Sequence, residues 1–413
     1  CVFLGCGEKA PKVGDNLLRN GSFESVGGEL PKHWEITNFR GLQDMEASVY
    51  GVTDSVAYDG ERSFFFKAAP TARRFYTLAQ EVRVRGAKRV RVRGAIMGVG
   101  VGDHVRQYPQ ANFALTYYGP DRERFESARF ADVRTNPNYG STDGWIQIDH
   151  VFRLPLNTEF VVLHCVLGLE GAIWFDDVSL EVPVELPWQT SETENFVHHW
   201  LEEPYPEGSR DYQQELFDSY ATRLGITPEE RVRISYYLYP DTAAFRQTMG
   251  MKRGVIHADY KRREIHTVNA VDDHEIIHML TDPYGVMPTI MNEGTAFYLM
   301  GTFDGRSIQP LAQEMLRAGE LPELETVLNP LALGRVDPAK MIPAAASFAG
   351  YLIEIGGPAK YLELHGQTKP DMAYGGFAQA FRSVYGKTLA ETEAAWRRVL
   401  DRADFSEGAG PGE

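Results

Sequence analysis

The chain has 413 residues, 43% of them apolar and 12% aromatic, with 57 acidic side chains against 42 basic ones and a net charge of −15. That length suits two to three packed domains, and the acidity argues against nucleic acid as a partner. No apolar run reaches the roughly 18 residues that a membrane-crossing helix needs.

The chain opens Cys1-Val2-Phe3-Leu4-Gly5-Cys6. This resembles the end of a bacterial lipoprotein signal, where small apolar residues and a Gly precede a lipidated Cys. Leu4-Gly5-Cys6 fits the pattern best, and Cys1 is the alternative anchor. The resemblance implies a protein held at the bacterial cell envelope, periplasmic or surface-exposed, by a lipid anchor alone. Residues 1–13 are then signal remnant and tether. Only Cys165 lies deeper in the chain, so no internal disulfide framework can form. At the other end, residues 404–413 are Gly-, Pro- and Glu-rich and are expected to be a disordered tail.

Residues 14–187 are patterned for strands. Val82-Arg83-Val84-Arg85 and Arg89-Val90-Arg91-Val92-Arg93 alternate strictly, as half-buried strands do. Asn112–Tyr118, Ile146–Leu154 and Phe160–Leu167 read the same way, with Gly, Asn, Asp and Pro between them. The expectation is an antiparallel β-sandwich of jelly-roll type. Two stretches carry a resemblance. Asn16-Leu17-Leu18-Arg19-Asn20-Gly21-Ser22-Phe23-Glu24 is similar to the opening strand of jelly-roll carbohydrate-binding modules, and Trp174-Phe175-Asp176-Asp177-Val178-Ser179-Leu180 to their closing strand. The resemblance implies that these ends meet and that Glu24 with Asp176 or Asp177 could hold a structural Ca²⁺, a cation that takes hard oxygen ligands. It also implies a glycan or protein partner for this domain. Trp34, Phe39, Tyr76, Tyr108, Tyr117, Tyr118 and Tyr139 are the aromatic candidates for stacking on sugar.

Residues 188–403 are expected to form an α+β domain. Helical spacing is read from Ser191 to Arg223, interrupted by Pro204 and Pro206, so two helices are expected there. Arg233–Tyr239 reads as a strand, and Asp241 as the cap of a short helix through Gln247. Gly254–Asp259 and Arg263–Val268 read as a hairpin. Helices follow over Leu311–Ala318, Leu324–Leu328, a longer stretch from Ala345 that Gly356-Gly357-Pro358 ends, Phe377–Tyr385 and Leu389–Leu400.

Between hairpin and helices stands Asp273-His274-Glu275-Ile276-Ile277-His278, an H-E-x-x-H stretch. In a helix, His274 and His278 lie one turn apart on one face and can bind one metal ion. Glu275 sits beside the open position, where a general base is needed. Zn²⁺ suits nitrogen and carboxylate ligands. Thr281-Asp282-Pro283-Tyr284-Gly285 breaks the helix, and Pro288 opens another over Thr289–Gly301. Glu293 falls early in that second helix and can turn back to the metal.

HEIIH, a Pro/Gly turn and MPTIMNEGTAFYL together resemble the gluzincin zinc peptidases, specifically the peptidase MA-like group, and the likeness extends over roughly residues 190–400. It implies a zincin-like fold with His274, His278 and Glu293 as zinc ligands and Glu275 as the base. The substrate is then a peptide or protein chain, paired as an added strand along the hairpin Val255–Val268. Tyr351 is a candidate donor to the oxyanion. Thermolysin-like members carry an Asp four residues after the ligand Glu, and here that position is Phe297. Support for the His ligands is therefore sought from Asp272, Asp273 or a backbone carbonyl, and Asn292 is read as a bystander beside Glu293. The alternative reading is a degenerate, surface-binding relative whose zinc is structural or absent.

Overall fold

A computed structural model describes residues 12–37, 48–68, 76–101, 111–124, 129–130, 141–168, 170–201, 205–251, 253–329 and 337–405. The lipid-anchor candidates Cys1 and Cys6, and the aromatics Phe39, Tyr108 and Tyr139, fall outside them. The contacts divide the chain into two units. One holds the residues up to Pro187 with Asp241–Gly254, and the other holds Trp188–Pro240 with Val255 onward.

The first unit is a β-sandwich. After a small ladder of β1 (Val26–Gly27) and β2 (Leu30–Pro31) come β3 (Glu35–Thr37), β4 (Ser48–Thr53), β5 (Ser63–Ala68), β6 (Tyr76–Arg83) and β7 (Arg89–Val99). β8 (Ala111–Tyr118), β9 (Arg129–Phe130), β10 (Ile146–Arg153), β11 (Phe160–Leu167) and β12 (Gly171–Glu181) complete it. The strands form two sheets, in the orders β10-β7-β12-β5-β4 and β3-β6-β11-β8-β9, antiparallel throughout. Strict alternation explains the layers. In β7, Val90 and Val92 are fully buried while the arginines between them turn outward. The inner faces meet over Phe64, Phe66, Phe113, Leu163, Ile173 and Phe175. The expected opening strand is irregular. It meets β12 through a bridge between Asn16 and Glu181 and a bond from Leu17 N to Leu180 O.

The helix capped by Asp241, α2 (Thr242–Met249), groups with this sandwich rather than with its sequence neighbours. Arg89 of β7 donates to Thr248 O at 3.2 Å, and Arg153 of β10 reaches Met249 Sδ at 3.9 Å. Two arginines that alternation turns outward thus hold a helix against the sheet.

The second unit holds a five-stranded mixed sheet in the order β13-β14-β15-β17-β16. Its strands are β13 (Gln189–Glu192), β14 (Phe196–Trp200), β15 (Ile234–Leu238), β16 (Ile256–Asp259) and β17 (Glu264–Thr267). Among the described residues, only one of the two helices expected over Ser191–Arg223 is present, α1 (Ser209–Arg223). Phe196-Val197-His198-His199-Trp200 is a strand because Phe196, His198 and Trp200 alternate inward, a period of two that helical counting missed. β14, β15 and β17 run parallel, and β16 pairs antiparallel at the outer edge. One face of the sheet buries Phe196, Tyr236 and Ile265 against Phe217 and Tyr220 of α1 and against Ile276 and Ile277.

Then follow α3 (Asp273–Thr281), α4 (Thr289–Met300), α5 (Ile308–Arg317), α6 (Leu324–Val327), α7 (Pro338–Gly366), α8 (Tyr374–Tyr385) and α9 (Leu389–Arg402). α7 breaks where Gly356-Gly357-Pro358 predicts an end. Gly357 leaves helical geometry (φ 77°, ψ 162°), and the helix restarts at Pro358 to run on to Gly366. The helical core gathers Phe348, Leu352, Tyr361, Phe377, Phe381 and Trp396.

Candidate metal centre

α3 starts at Asp272, whose Oδ1 accepts from Glu275 N at 3.4 Å and whose Oδ2 accepts from Asn269 Nδ2 at 3.0 Å. Ile276, Ile277, Met279 and Leu280 fix its buried side. His274 and His278 are left on one side, their rings 4.6 Å apart. α4 starts after Pro288, whose C=O accepts from Asn292 N at 3.0 Å. Glu293 therefore lies on its second turn and faces α3.

Three donor groups converge, two imidazoles and one carboxylate. His274 Nε2 lies 3.1 Å from His278 Nε2 and 3.1 Å from Glu293 Oε2, and His278 Nε2 lies 3.5 Å from Glu293 Oε1. Two ligands bonded at about 2.0–2.1 Å to one tetrahedral zinc ion lie about 3.3–3.4 Å apart. The spacings, 3.1–3.5 Å, bracket that separation, and the donor set is the nitrogen and carboxylate mixture that Zn²⁺ takes. Among the described residues this is the one group of three or more His, Cys, Asp or Glu side chains with such convergence. Burial would push the Glu293 carboxyl up, but hydrogen bonds and charge from the two imidazoles outweigh it and hold it at about 2. Burial likewise opposes charge on His274, and Glu293 outweighs it to raise the imidazole's pKa. Glu293 is thus an anion at neutral pH, as a ligand to a cation must be.

The supporting contacts differ from those sought in the sequence. Asp272 caps the helix, and Asp273 Oδ2 accepts from Tyr220 OH at 3.3 Å, so neither is seen bonded to a His ligand. Asn292 does reach one: its amide Nδ2 lies 3.0 Å from His278 Nδ1. A His that binds metal through Nε2 carries its proton on Nδ1, and an Asn amide turned by 180° accepts that proton with Oδ1. Phe297 packs its ring 5.0 Å from that of His274 and 5.1 Å from that of Phe303, so an apolar wall stands where thermolysin-like members place an acid.

Two close approaches fix α4 and the turn before it. Gly294, next to Glu293, leaves no space for a side chain, since a Cβ there would come within 2.6 Å of the Ala345 carbonyl carbon of α7. Gly285 ends the turn with φ 113°, and its carbonyl accepts from His365 Nδ1 of α7 at 3.1 Å. Thr295 and Tyr361 join the same two helices by a buried hydroxyl pair at 2.6 Å. Gly294→Ala should therefore push α4 off α7 and displace Glu293. We expect a loss of about 1–3 kcal/mol in stability, the usual cost of overpacking, together with weaker zinc binding. Thermal unfolding and zinc titration of the variant check this, and wild-type values for both would contradict it.

The base candidate Glu275 stands beside the cluster, with its Oε2 accepting from Tyr260 OH at 3.1 Å. Burial, followed by the charge of Glu275, pushes the Tyr260 phenol well above its ordinary pKa, so it keeps its proton and serves as a neutral hydrogen-bond donor. Nothing in the sequence marked Tyr260, because it comes from a hairpin turn fifteen residues before Glu275. Tyr351 is placed differently. It lies in α7, half-buried at the edge of the helical core, with Glu354 and Arg398 as its charged neighbours. The tyrosine hydroxyl beside Glu275 is that of Tyr260.

Two of the three acids of the sandwich, Glu24 and Asp176, accept backbone N–H groups. Asp176 Oδ2 accepts from Tyr58 N at 2.7 Å and Asp59 N at 3.1 Å, and its Oδ1 from Asp177 N at 2.7 Å. Glu24 Oε1 accepts from Glu61 N at 2.8 Å and Arg62 N at 2.9 Å. Glu24 and Asp176 thus fasten one loop, Tyr58–Arg62, to the opening segment and to the closing strand β12. Asp177 sits in the left-handed region at φ 47° on a bulge of β12. Of the aromatic candidates, Trp34 and Tyr117 are core residues, 5% and 1% exposed. Trp34 Nε1 donates inward to Arg19 O and Asn20 O.

No protein-family model and no curated protein matches the chain. Solved structures similar to it include carbohydrate-binding-module domains aligned with its N-terminal part. The CBM22-1 xylan-binding domain of Paenibacillus barcinonensis Xyn10C covers 43% of this chain and 100% of its own, at 15% identity and a TM-score of 0.28. The structure of TmCBM61 in complex with β-1,4-galactotriose covers 40% and 97%, at 18% identity and a TM-score of 0.26. The enzymatically active domain of tailspike protein 4 from bacteriophage CBA120 covers 40% and 21%, at 12% identity and a TM-score of 0.29.

Proposed function

We propose that the second unit is a zincin-like, zinc-dependent metallopeptidase domain that hydrolyses peptide bonds in extended peptide or protein chains. The observation that carries this reading is the convergence of His274 Nε2, His278 Nε2 and a Glu293 carboxylate at zinc-ligand spacing, with Glu275 alongside. Zn²⁺ held there supplies a Lewis acid for the scissile carbonyl and lowers the pKa of water. The chain's own residues supply the rest. Glu275 takes the proton of the attacking water and passes it to the leaving amine. Strand β16, the outer strand of the sheet among the described residues, is where the backbone of an extended substrate would pair. Phe297 and Phe303 keep one side of the site apolar, which strengthens the charge interactions inside it.

The sandwich is read as an accessory module for glycan or protein, and the envelope location expected from Leu4-Gly5-Cys6 belongs to the same proposal. The rival, a binding protein with a degenerate site, is disfavoured by one observation: Glu275, which a structural zinc site does not use, is held by its own hydrogen bond from Tyr260. The test is hydrolysis of a broad peptide library by the zinc-loaded full chain, before and after chelation. Cleavage that chelator abolishes and zinc restores is expected, and a library left intact would overturn the peptidase reading.

A further inference from the structure

Tyr260 occupies the turn between β16 and β17, at the end of the sheet's outer strand. The turn is built to hold it. Asp259 Oδ1 accepts from Arg262 N at 3.1 Å, and its Oδ2 accepts from Arg262 Nη1 at 3.0 Å. Arg263, in the left-handed region at φ 54°, closes the turn by donating its N–H to Tyr260 O at 3.2 Å. From this turn the ring reaches across to α3. Its hydroxyl meets Glu275 Oε2 at 3.1 Å, and its edge faces the His278 ring at 6.4 Å between centroids, with the planes 87° apart. Tyr260 as a whole is 36% exposed, so it is not a core residue.

A carboxylate on a helix surface turns freely about its last torsion. A general base does not have that freedom, because a proton transfer needs one oxygen within hydrogen-bond reach of the water. Here one oxygen of Glu275 is occupied by a neutral phenol, which donates to a carboxylate and takes no proton from it. The other oxygen is left for water. We propose that Tyr260 is a positioning residue for the hydrolysis assigned to this site: its O–H fixes the Glu275 carboxylate and ties that orientation to the strand along which the peptide is read. The proposal rests on the peptidase reading and adds to it a residue that binds neither metal nor the reacting bond. It also links recognition to chemistry, since a peptide that pairs with β16 runs toward the turn that holds the tyrosine.

The experiment compares Tyr260→Phe with wild type in the zinc-loaded full chain. Removing one hydroxyl should lower kcat about 10- to 100-fold, the cost of a misplaced catalytic group. KM, zinc stoichiometry and thermal midpoint should stay near wild-type values. In the Glu275→Gln background the same change should have no further effect on rate, because two residues that act as a unit are not additive. A kcat for Tyr260→Phe within twofold of wild type, or a further 10-fold loss in the Glu275→Gln background, would overturn the positioning role. A readout that needs no turnover separates this from failure of the peptidase reading. A peptide hydroxamate offers Glu275 an O–H to accept, so its affinity, measured by calorimetry, reports where the carboxylate points. Should the wild type cleave nothing, the peptidase reading falls. Equal hydroxamate affinity in wild type and Tyr260→Phe would then overturn the orientation of Glu275 by Tyr260 as well, and about 10-fold weaker binding in the variant would leave that orientation standing while its role in hydrolysis falls with the peptidase reading.

Discussion

Glu275→Gln should leave about one zinc ion per chain and abolish most peptide hydrolysis, by about 10²–10⁴-fold, the usual share of general-base catalysis. The substitution keeps the shape of the side chain and an acceptor for Tyr260 OH, and removes only the capacity to take a proton. Its cap contact is made by the backbone, since Glu275 N–H donates to Asp272 Oδ1, so α3 should form as before. The loss should appear in kcat, with KM little changed, because the carboxylate acts on the water and not on the peptide. Full activity in this variant, with zinc bound, would mean that another group is the base.

The second large effect concerns the metal. His274→Ala, His278→Ala and Glu293→Ala should each lower zinc affinity by orders of magnitude, because each removes one of three protein ligands. The variants should differ in the metal-free protein. His278 is 4% exposed, so truncating it leaves a cavity between α3 and α4 and should also cost stability. His274 and Glu293 are more open, and their loss should fall mainly on metal. Asn292→Ala, which a reading of the sequence treats as silent, should weaken zinc binding about 10- to 100-fold, the usual effect of losing a partner that orients a metal ligand.

How much of this was legible in the sequence follows from the range of each signal. The strands of the sandwich were legible because alternation is local, and Val90-Arg91-Val92-Arg93 shows its buried side within a few residues. His274, Glu275, His278 and Glu293 were legible as a set because a helix, a Pro/Gly break and a second helix fix their geometry within twenty residues of chain. β14 was misread because Phe196-Val197-His198-His199-Trp200 lies beside α1 and its aromatics fit either period over so short a window. Tyr260 and Asn292 were not legible as site residues. What each does is set by a contact across elements, the hairpin turn against α3 and α4 against α3, and one chain without its fold carries no trace of such contacts. The same holds for α2, whose attachment to the sandwich depends on Arg89 and Arg153, far away in sequence. Glu24 and Asp176 show the converse. Their nearness to one loop followed from the meeting of the chain's two strand ends, but their partners are N–H groups, which a residue pattern does not reveal.

The most direct measurement is the zinc content of the purified full chain beside that of Glu293→Ala, each dialysed against the same zinc-buffered solution. The account predicts about one zinc per chain for the wild type and little for the variant, since Glu293 closes the triangle formed with His274 Nε2 and His278 Nε2. Equal, stoichiometric zinc in both proteins would contradict it.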